Sequence, residues 1–427
     1  MCALFFIVAA RPVAAADWPR FRGPRGDGIS LAAEIPLRWS ETEGLAWRTP
    51  LLGPGSSSPI VFGDRVMVTC YSGYGVRNAA NGPKEGLKRH LVCARLADGE
   101  VLWTKTIAAD LPEDDHSGYL TEHGYASSTP VTDGQQVFVF FGKTGVLAFD
   151  MDGNEQWRKT VGKESSNRRW GSAASLVLYK DMVLVNAAEE SRSVLALDKQ
   201  TGKEVWKAEA ASLELTYGTP TLVDLPDGTV ELVISVPGEV WGLNPDTGKL
   251  QWYAETNLTG NVCPTVVAHD GIVYAFGGYR SSGAHALRAG GRGDVTDSHM
   301  LWFTRESSYV ATPLLHDGFL YWIDDRGLAH CLDAKTGESV YRERVPGLNT
   351  SGRPVYASPI LAADRLYVVS RWSGTFVLPA KPTFEVLAHN RLESDESDFS
   401  GTPAIVDRRL LLRSGRYLYC VTADATH

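Results

Sequence analysis

One phrase, restated along the chain, constrains the fold more than any other feature. It reads "LALDKQTGKEVWK" at 195–207, and its echoes are "LADGEVLWTK" (96–105), "FDMDGNEQWRK" (149–159), "LNPDTGKLQWY" (243–253) and "LDAKTGESVYR" (332–342). Each is an apolar run, an Asp or Asn, a Gly turn and then an aromatic residue. Alternation through Val194, Ala196 and Asp198 suits a strand with one buried face. An Asp or Asn can accept from the amides of the turn that follows it. Gly202, Gly248 and Gly337 suit a turn that needs positive φ. The unit is therefore a β-hairpin. The aromatics Trp47, Trp103, Trp157, Trp206, Trp252, Trp302 and Tyr341 are expected as wedges between neighbouring sheets.

A second element precedes each hairpin: a hydroxyl residue near a proline, a few apolar residues, a tight turn and a β-rich run. "SSPIVFGDRVMV" (57–68), "STPVTDGQQVFVFF" (128–141) and "ATPLLHDGFLYWI" (311–323) are examples, and "GSAASLVLYKDMVLV" (171–185) lacks the proline. The chain holds eight copies, and Pro220, Pro264, Pro313, Pro359 and Pro403 recur at steps of roughly 45 residues, the length of a four-stranded blade. The expected fold is all-β: an eight-bladed β-propeller of four-stranded antiparallel blades. The last unit stops after its third strand, while "EGLAWRTPL" (43–51) holds an aromatic strand with no blade before it. Residues 44–49 should complete the last blade, with Trp47 beside strand 416–421, and close the ring. Two units are irregular. The fifth carries the insert "LRAGGRGDVTDSH" (287–299), and the seventh has lost its Asp-Thr-Gly-Trp signature.

The predicted organisation is a secretory signal at 1–16, a leader at 17–43 and the propeller at 44–427. The signal rests on the apolar run Ala3–Ala10 followed by Ala14, Ala15 and Ala16, and that run is too short to span a bilayer. The expected location is thus the periplasm or cell envelope. A net charge of −8 without a basic run argues against a nucleic-acid surface. The six cysteines include no Cys-x-x-Cys pair, no zinc spacing and no haem motif. Cys331 and Cys420 take the repeat position of Ala196 and Ala148, and so read as small buried residues. Cys70 and Cys93 lie on strands that could be neighbours, which leaves open either a disulfide or two buried thiols.

If the repeat is scaffold, a site belongs in the connections that break it. The longest is "DLPEDDHSGYLTEHGYASSTP" (110–130), with His116, Glu122 and His123; a solvated polar loop is its plainer reading. It offers no fixed metal spacing, and no metal ligand is assigned. The first insertion, 71–90, brings Arg77, Lys84, Lys88, Arg89 and His90, basic groups that could pair with the acidic loop. In blade three, Arg169, Trp170 and Glu189 are candidates for the channel mouth, with packing of a blade seam as the alternative for Trp170. Asp150 and Asp152 align with the other hairpins and read as a turn, not a calcium loop. The expected binding face joins 71–90, 104–127 and 287–299.

The core "ALD-x-x-TG-x-x-x-W", clearest at 196–206, 243–252 and 331–341, resembles the pyrroloquinoline quinone (PQQ)-type propeller repeat. The stretch "DWPRFRGPRGDGIS" (17–30) resembles the leader of exported bacterial PQQ-like proteins. The resemblance implies the fold and leaves three branches: quinoprotein dehydrogenases that use PQQ and calcium, non-catalytic outer-membrane assembly propellers of the BamB type, and exported members without an assigned activity. The alcohol dehydrogenase branch stacks PQQ against a vicinal Cys-Cys disulfide, and no two cysteines are adjacent here. No catalytic or cofactor-binding residue can be placed. The reading is a monomeric, exported, non-catalytic propeller that binds an envelope protein, peptide or glycan. The alternative is a PQQ- and calcium-dependent alcohol or sugar dehydrogenase.

Overall fold

The computed structural model describes residues 17–76, 82–277 and 282–423. The signal at 1–16 and Arg77 lie outside them. Eight antiparallel sheets form an eight-bladed β-propeller. Seven blades take their four antiparallel strands in chain order, and the eighth joins Ala404–Val406, Arg409–Arg413 and Tyr417–Thr422 to Leu45–Pro50. Trp47 pairs with Cys420 in that last sheet, so the N-terminal strand closes the ring as its orphan aromatic requires.

The repeated phrase works at the seams. Each aromatic lies opposite a small residue on the strand before it: Trp103 on Cys93, Trp157 on Ala148, Trp206 on Ala196, Trp252 on Gly242, Trp302 on Ala286 and Tyr341 on Cys331. A small residue there leaves room for the ring. Five of the indoles then donate to a carbonyl in the next blade: Trp47 to Leu96, Trp103 to Met151, Trp157 to Lys199, Trp206 to Pro245 and Trp302 to Ala334. Each of these rings also rests on the turn glycine of that next blade. A Cβ on Gly248, at φ +70°, would stand 2.3 Å from Trp206.

The two irregular units solve the seam differently. Blade five has no Thr-Gly turn to receive Trp252, whose indole donates instead to the buried carboxylate of Glu231 at 2.7 Å. The insert supplies Gly293–Asp294, a short fifth strand parallel to Leu250–Glu255 of blade four. At blade seven the Tyr341 ring of blade six packs on Phe384, 5.8 Å between ring centres.

One expectation is overturned and two open points are settled. Residues 287–299 join the third and fourth strands of their blade, whereas 73–87 joins a second to a third strand. Alternating strand direction puts these connections at opposite ends of the ring, so 287–299 cannot share a face with 71–90. Cys70 and Cys93 do sit on adjacent strands but out of register, Cys70 facing His90 and Cys93 facing Met67, and both are buried free thiols. Pro264 precedes the blade-five hydroxyl Thr265 and no proline follows Ser175, whereas the other six blades place a proline directly after the hydroxyl.

The leader is structured. Trp18 bridges to Val61 in blade one, Pro19 accepts from the Thr132 amide of blade two, and Ile29 bridges to Leu361 in blade seven. Between them Arg22, fully buried, donates to the carbonyls of Thr312 and Pro313 in blade six. The segment crosses one mouth of the central channel.

Candidate functional site

At one level of the channel wall each blade places a hydroxyl residue: Ser58, Thr129, Ser175, Thr219, Thr265, Thr312, Ser358 and Thr402, with Ser56, Ser127 and Ser400 nearer the mouth. Seven inter-blade bonds link them. The amides of Ser58, Thr129, Ser175, Thr219, Thr265, Thr312 and Ser358 each donate to the hydroxyl oxygen of the next blade, at 2.9–3.3 Å. The innermost strand has no sheet partner on its channel side, and these hydroxyls accept the amides that would otherwise be unpaired. The proline that usually follows has no N–H to satisfy. The Ser/Thr-Pro pair is thus a structural requirement of the channel.

This tier lines a cavity of about 160 Å³. Phe21 of the leader reaches the same cavity, so the channel is blind at the leader end. The opposite, open end is a collar of aromatic rings. Tyr119 lies 4.3 Å from Trp170, Trp170 stacks 5.8 Å from Tyr217, and Tyr309 and Tyr356 complete the wall. Arg353 lies over both Tyr119 (4.6 Å) and Tyr309 (4.5 Å).

The connection 109–130 is ordered by ion pairs. Glu113 binds Arg89 at 2.6 Å, Asp114 binds Lys143 at 2.8 Å, and Asp115 binds Lys84 at 2.6 Å. The basic and acidic loops pair with each other, and the acids are engaged as partners of those cations. A single helical turn, Leu120–His123, then reaches the channel mouth. Glu122 accepts from Arg371 of blade seven at 2.7 Å, far away in sequence. Arg371 also holds Asp398, and its guanidinium sits 4.4 Å from both the Tyr356 and Trp372 rings. His123 Nε2 donates to the Trp170 carbonyl at 2.8 Å, and Nδ1 accepts from Ser127. Burial holds this imidazole down at about 4, so it is neutral at physiological pH.

Beside the collar opens a basin of about 1640 Å³. It shares Ser56, Tyr119, Glu122, His123 and Tyr356 with the channel cavity, and Arg353, Arg371, Trp372, Asp398, Arg416 and Tyr417 wall it. Of the residues singled out from sequence, Glu122, His123 and Trp170 line the cavity, and His116 lines the basin. Glu189 stands behind the collar, buried, accepting from the Ser166 amide and hydroxyl and from Tyr217 Oη. Arg169 is exposed in a left-handed turn and is not part of the cavity wall; its neighbour Arg168 lies over the Trp170 ring at 5.8 Å. The sequence reading missed Tyr119, Tyr217, Tyr309, Tyr356, Arg353 and Arg371. A signal existed: Tyr217, Tyr309 and Tyr356 come just before the channel hydroxyls Thr219, Thr312 and Ser358.

Among the described residues no three His, Cys, Asp or Glu side chains converge as a metal-binding set. The cavity wall is hydroxyl and aromatic, with a neutral imidazole, a thiol, Cys263, that burial pushes up to about 11, and one carboxylate, Glu122, already bound to Arg371. These residues do not fit a multi-ring tricarboxylate held by calcium.

A model of the family described as outer membrane protein assembly factor BamB matches residues 88–343, more than half of the chain. The chain belongs to that family. The fold is similar to the crystal structure of BamB from Moraxella catarrhalis, with a TM-score of 0.60 and 14% identity over 93% of this chain and all of that one. It is also similar to the computationally designed protein Ika8, with a TM-score of 0.58 and 12% identity over 89% of this chain and 99% of that one. At such identities these structural matches speak to the fold alone. A tetrathionate hydrolase of Acidianus ambivalens is 26% identical over 188 residues, 40% of this chain and 34% of that protein's length. Among the described residues no helix is long and apolar enough to cross a membrane.

Proposed function

We propose that this chain is an exported, non-catalytic propeller that holds a protein, peptide or glycan of the cell envelope on its collar face. One observation carries the reading: two arginines stacked between aromatic rings, Arg371 with Tyr356 and Trp372 and Arg353 with Tyr119 and Tyr309, wall a large basin that runs into a blind channel. Arg, Trp and Tyr are the residues that dominate binding energy at interfaces, above all where packing keeps them rigid. The family description, the secretory-type N-terminus and the leader support an envelope location. The proposed face combines 71–76, 82–90 and 104–127 with blade-seven and blade-eight loops, and excludes 287–299. The test is affinity capture from an envelope extract on immobilised protein, read by mass spectrometry. Trp372→Ala with Arg353→Ala should lose a partner that the parent retains; an unchanged partner set sinks the assignment.

The match to a tetrathionate hydrolase favours a second reading, hydrolysis in the channel. The channel's neutral imidazole has both nitrogens bonded and its thiol stays protonated, which gives that reading no poised base or nucleophile. Incubation with tetrathionate should leave it unconsumed; turnover abolished by Cys263→Ser or His123→Ala would replace the binding reading.

A further inference from the structure

The channel cavity has a shape and a polarity that select an occupant. Its volume, about 160 Å³, matches the cavity of about 150 Å³ that accepts one benzene-sized ring. It is blind, because Phe21 and the leader close one end, so a ligand enters and leaves only through the collar. It is also layered. Tyr217, Tyr309 and Tyr356 come just before their blade's hydroxyl in the chain, so the aromatic tier sits at the mouth and the hydroxyl tier beneath it. Aromatic walls favour another flat ring in offset or edge contact.

The lower tier sets the polarity. A hydroxyl has one donor and two acceptor positions. Seven of these oxygens already accept a backbone amide, which leaves each one O–H and one lone pair. Nothing there is ionised, so a charged tip would be desolvated without compensation. The tier suits one neutral group that both donates and accepts. A pyranose carries hydroxyls around its whole edge, where the collar presents aromatic faces and polar groups already bonded within the protein: Ser56 and Ser127 to His123, Ser400 to Asp398 and Glu122 to Arg371. A phenol carries one, at the tip that reaches the hydroxyl tier. The basin that adjoins the mouth has guanidinium and carboxylate groups, the complement of a peptide rather than of a neutral glycan.

We infer that the channel cavity is the seat of a tyrosine side chain from a bound peptide or protein, with its ring in the aromatic collar and its hydroxyl on the Ser/Thr tier. This rests on the collar-face reading above and narrows its partner to a polypeptide with an exposed tyrosine.

Cys263 gives a direct readout, since it lines the cavity while Cys70, Cys93, Cys331 and Cys420 are buried. The parent protein is alkylated with iodoacetamide at about pH 9 and the Cys263 peptide is followed by mass spectrometry. N-acetyl-tyrosinamide should slow the reaction saturably. N-acetyl-phenylalaninamide should need about fivefold more for the same protection, the loss expected for one neutral hydrogen bond. Methyl glucoside should give none. Protection by the glucoside at lower concentration than tyrosinamide, equal protection by the two amides, or no protection at all would each overturn the inference. Ala173→Leu, which fills the cavity wall without removing a hydrogen bond, should abolish protection at an unchanged melting temperature. The two proposals fail separately. Envelope capture that survives Ala173→Leu but not the Trp372 and Arg353 substitutions would keep the face and remove the anchor. Capture that survives both would remove the face.

Discussion

Trp206 rests its ring on Gly248 and its indole N–H on the carbonyl of Pro245, so one side chain both fills a seam and ties it by a hydrogen bond. Trp206→Ala should cost about 3–5 kcal/mol in denaturant unfolding, the range for truncating a buried large aromatic. Gly248→Ala should be disproportionately harmful for one methyl, because strain at φ +70° adds to a contact the indole cannot relieve without leaving the seam. Glu190 poses the opposite case, a carboxyl in the interior. It is buried, its Oε1 faces Ser172, its Oε2 has no partner, and a space of about 30 Å³ adjoins it. Burial first, then the neighbouring Glu189, pushes it up to about 8. Glu113 and Glu189 are raised in the same direction by burial. Between the ordinary carboxyl range and about 8 the folded state holds a proton that the unfolded chain has released. Stability should therefore fall as pH rises through that window, by at most about 1.4 kcal/mol per pH unit from Glu190, and flatten above it. Glu190→Gln should match the parent at about pH 5 and exceed it at about pH 9. A variant no more stable at the higher pH would show that Glu190 ionises without cost.

At the scale of elements, the connection 109–130 is tied down at both ends of its course. Its acids pair with Arg89, Lys143 and Lys84, and Glu122 reaches Arg371 of blade seven. Arg371→Ala leaves Glu122 and Asp398 without their cation and should lower stability by about 1–3 kcal/mol. It should also speed amide hydrogen exchange at 119–124 while leaving Gln136–Phe140, the second strand of the same blade, unaffected. Equal exchange in both variants would mean that the helical turn is held from its own side. The fold at this scale was legible because the hairpin phrase carries its own instructions: Asp198 accepts from Thr201, Gly202 takes the positive φ, and the aromatic follows on the outgoing strand. The collar was not. Tyr119, Trp170, Tyr217, Tyr309 and Tyr356 come from five different connections, and only ring closure makes them neighbours. The insert 287–299 misled for a related reason, since polarity alone does not say which end of a blade a loop occupies. Cys70 and Cys93 show the limit of strand adjacency, because register, invisible in the spacing, holds their side chains apart.

The whole molecule depends on contacts between its first residues and its last. Strand Leu45–Pro50 completes the final blade, and the leader spans the channel from blades one and two to blades six and seven. A chain beginning at residue 51 leaves Tyr417–Thr422 as an open edge in the middle of an apolar seam. It should lose the single cooperative melting transition of the parent and associate in solution, as seen by scattering. A chain beginning at residue 31 keeps the closing strand but opens the blind end; it should melt cooperatively at a lower temperature. If both truncations melt like the parent, the ring is held by its seams alone.

The use of strand 45–50 as the final clasp also sets an order of events. The segment that seals the ring is synthesised before any complete blade, yet its partner, 417–422, is made only after the seven other blades. Until then it must stay extended and unattached while every intervening blade offers similar edges. Pairing with an earlier edge would produce a smaller, mispaired ring, and pairing with a second chain's last blade would link two molecules. The register of that strand, with Trp47 opposite Cys420 and its indole on Leu96, is thus a proofreading contact as much as a stabilising one: it can be satisfied in full only when the eighth blade has arrived.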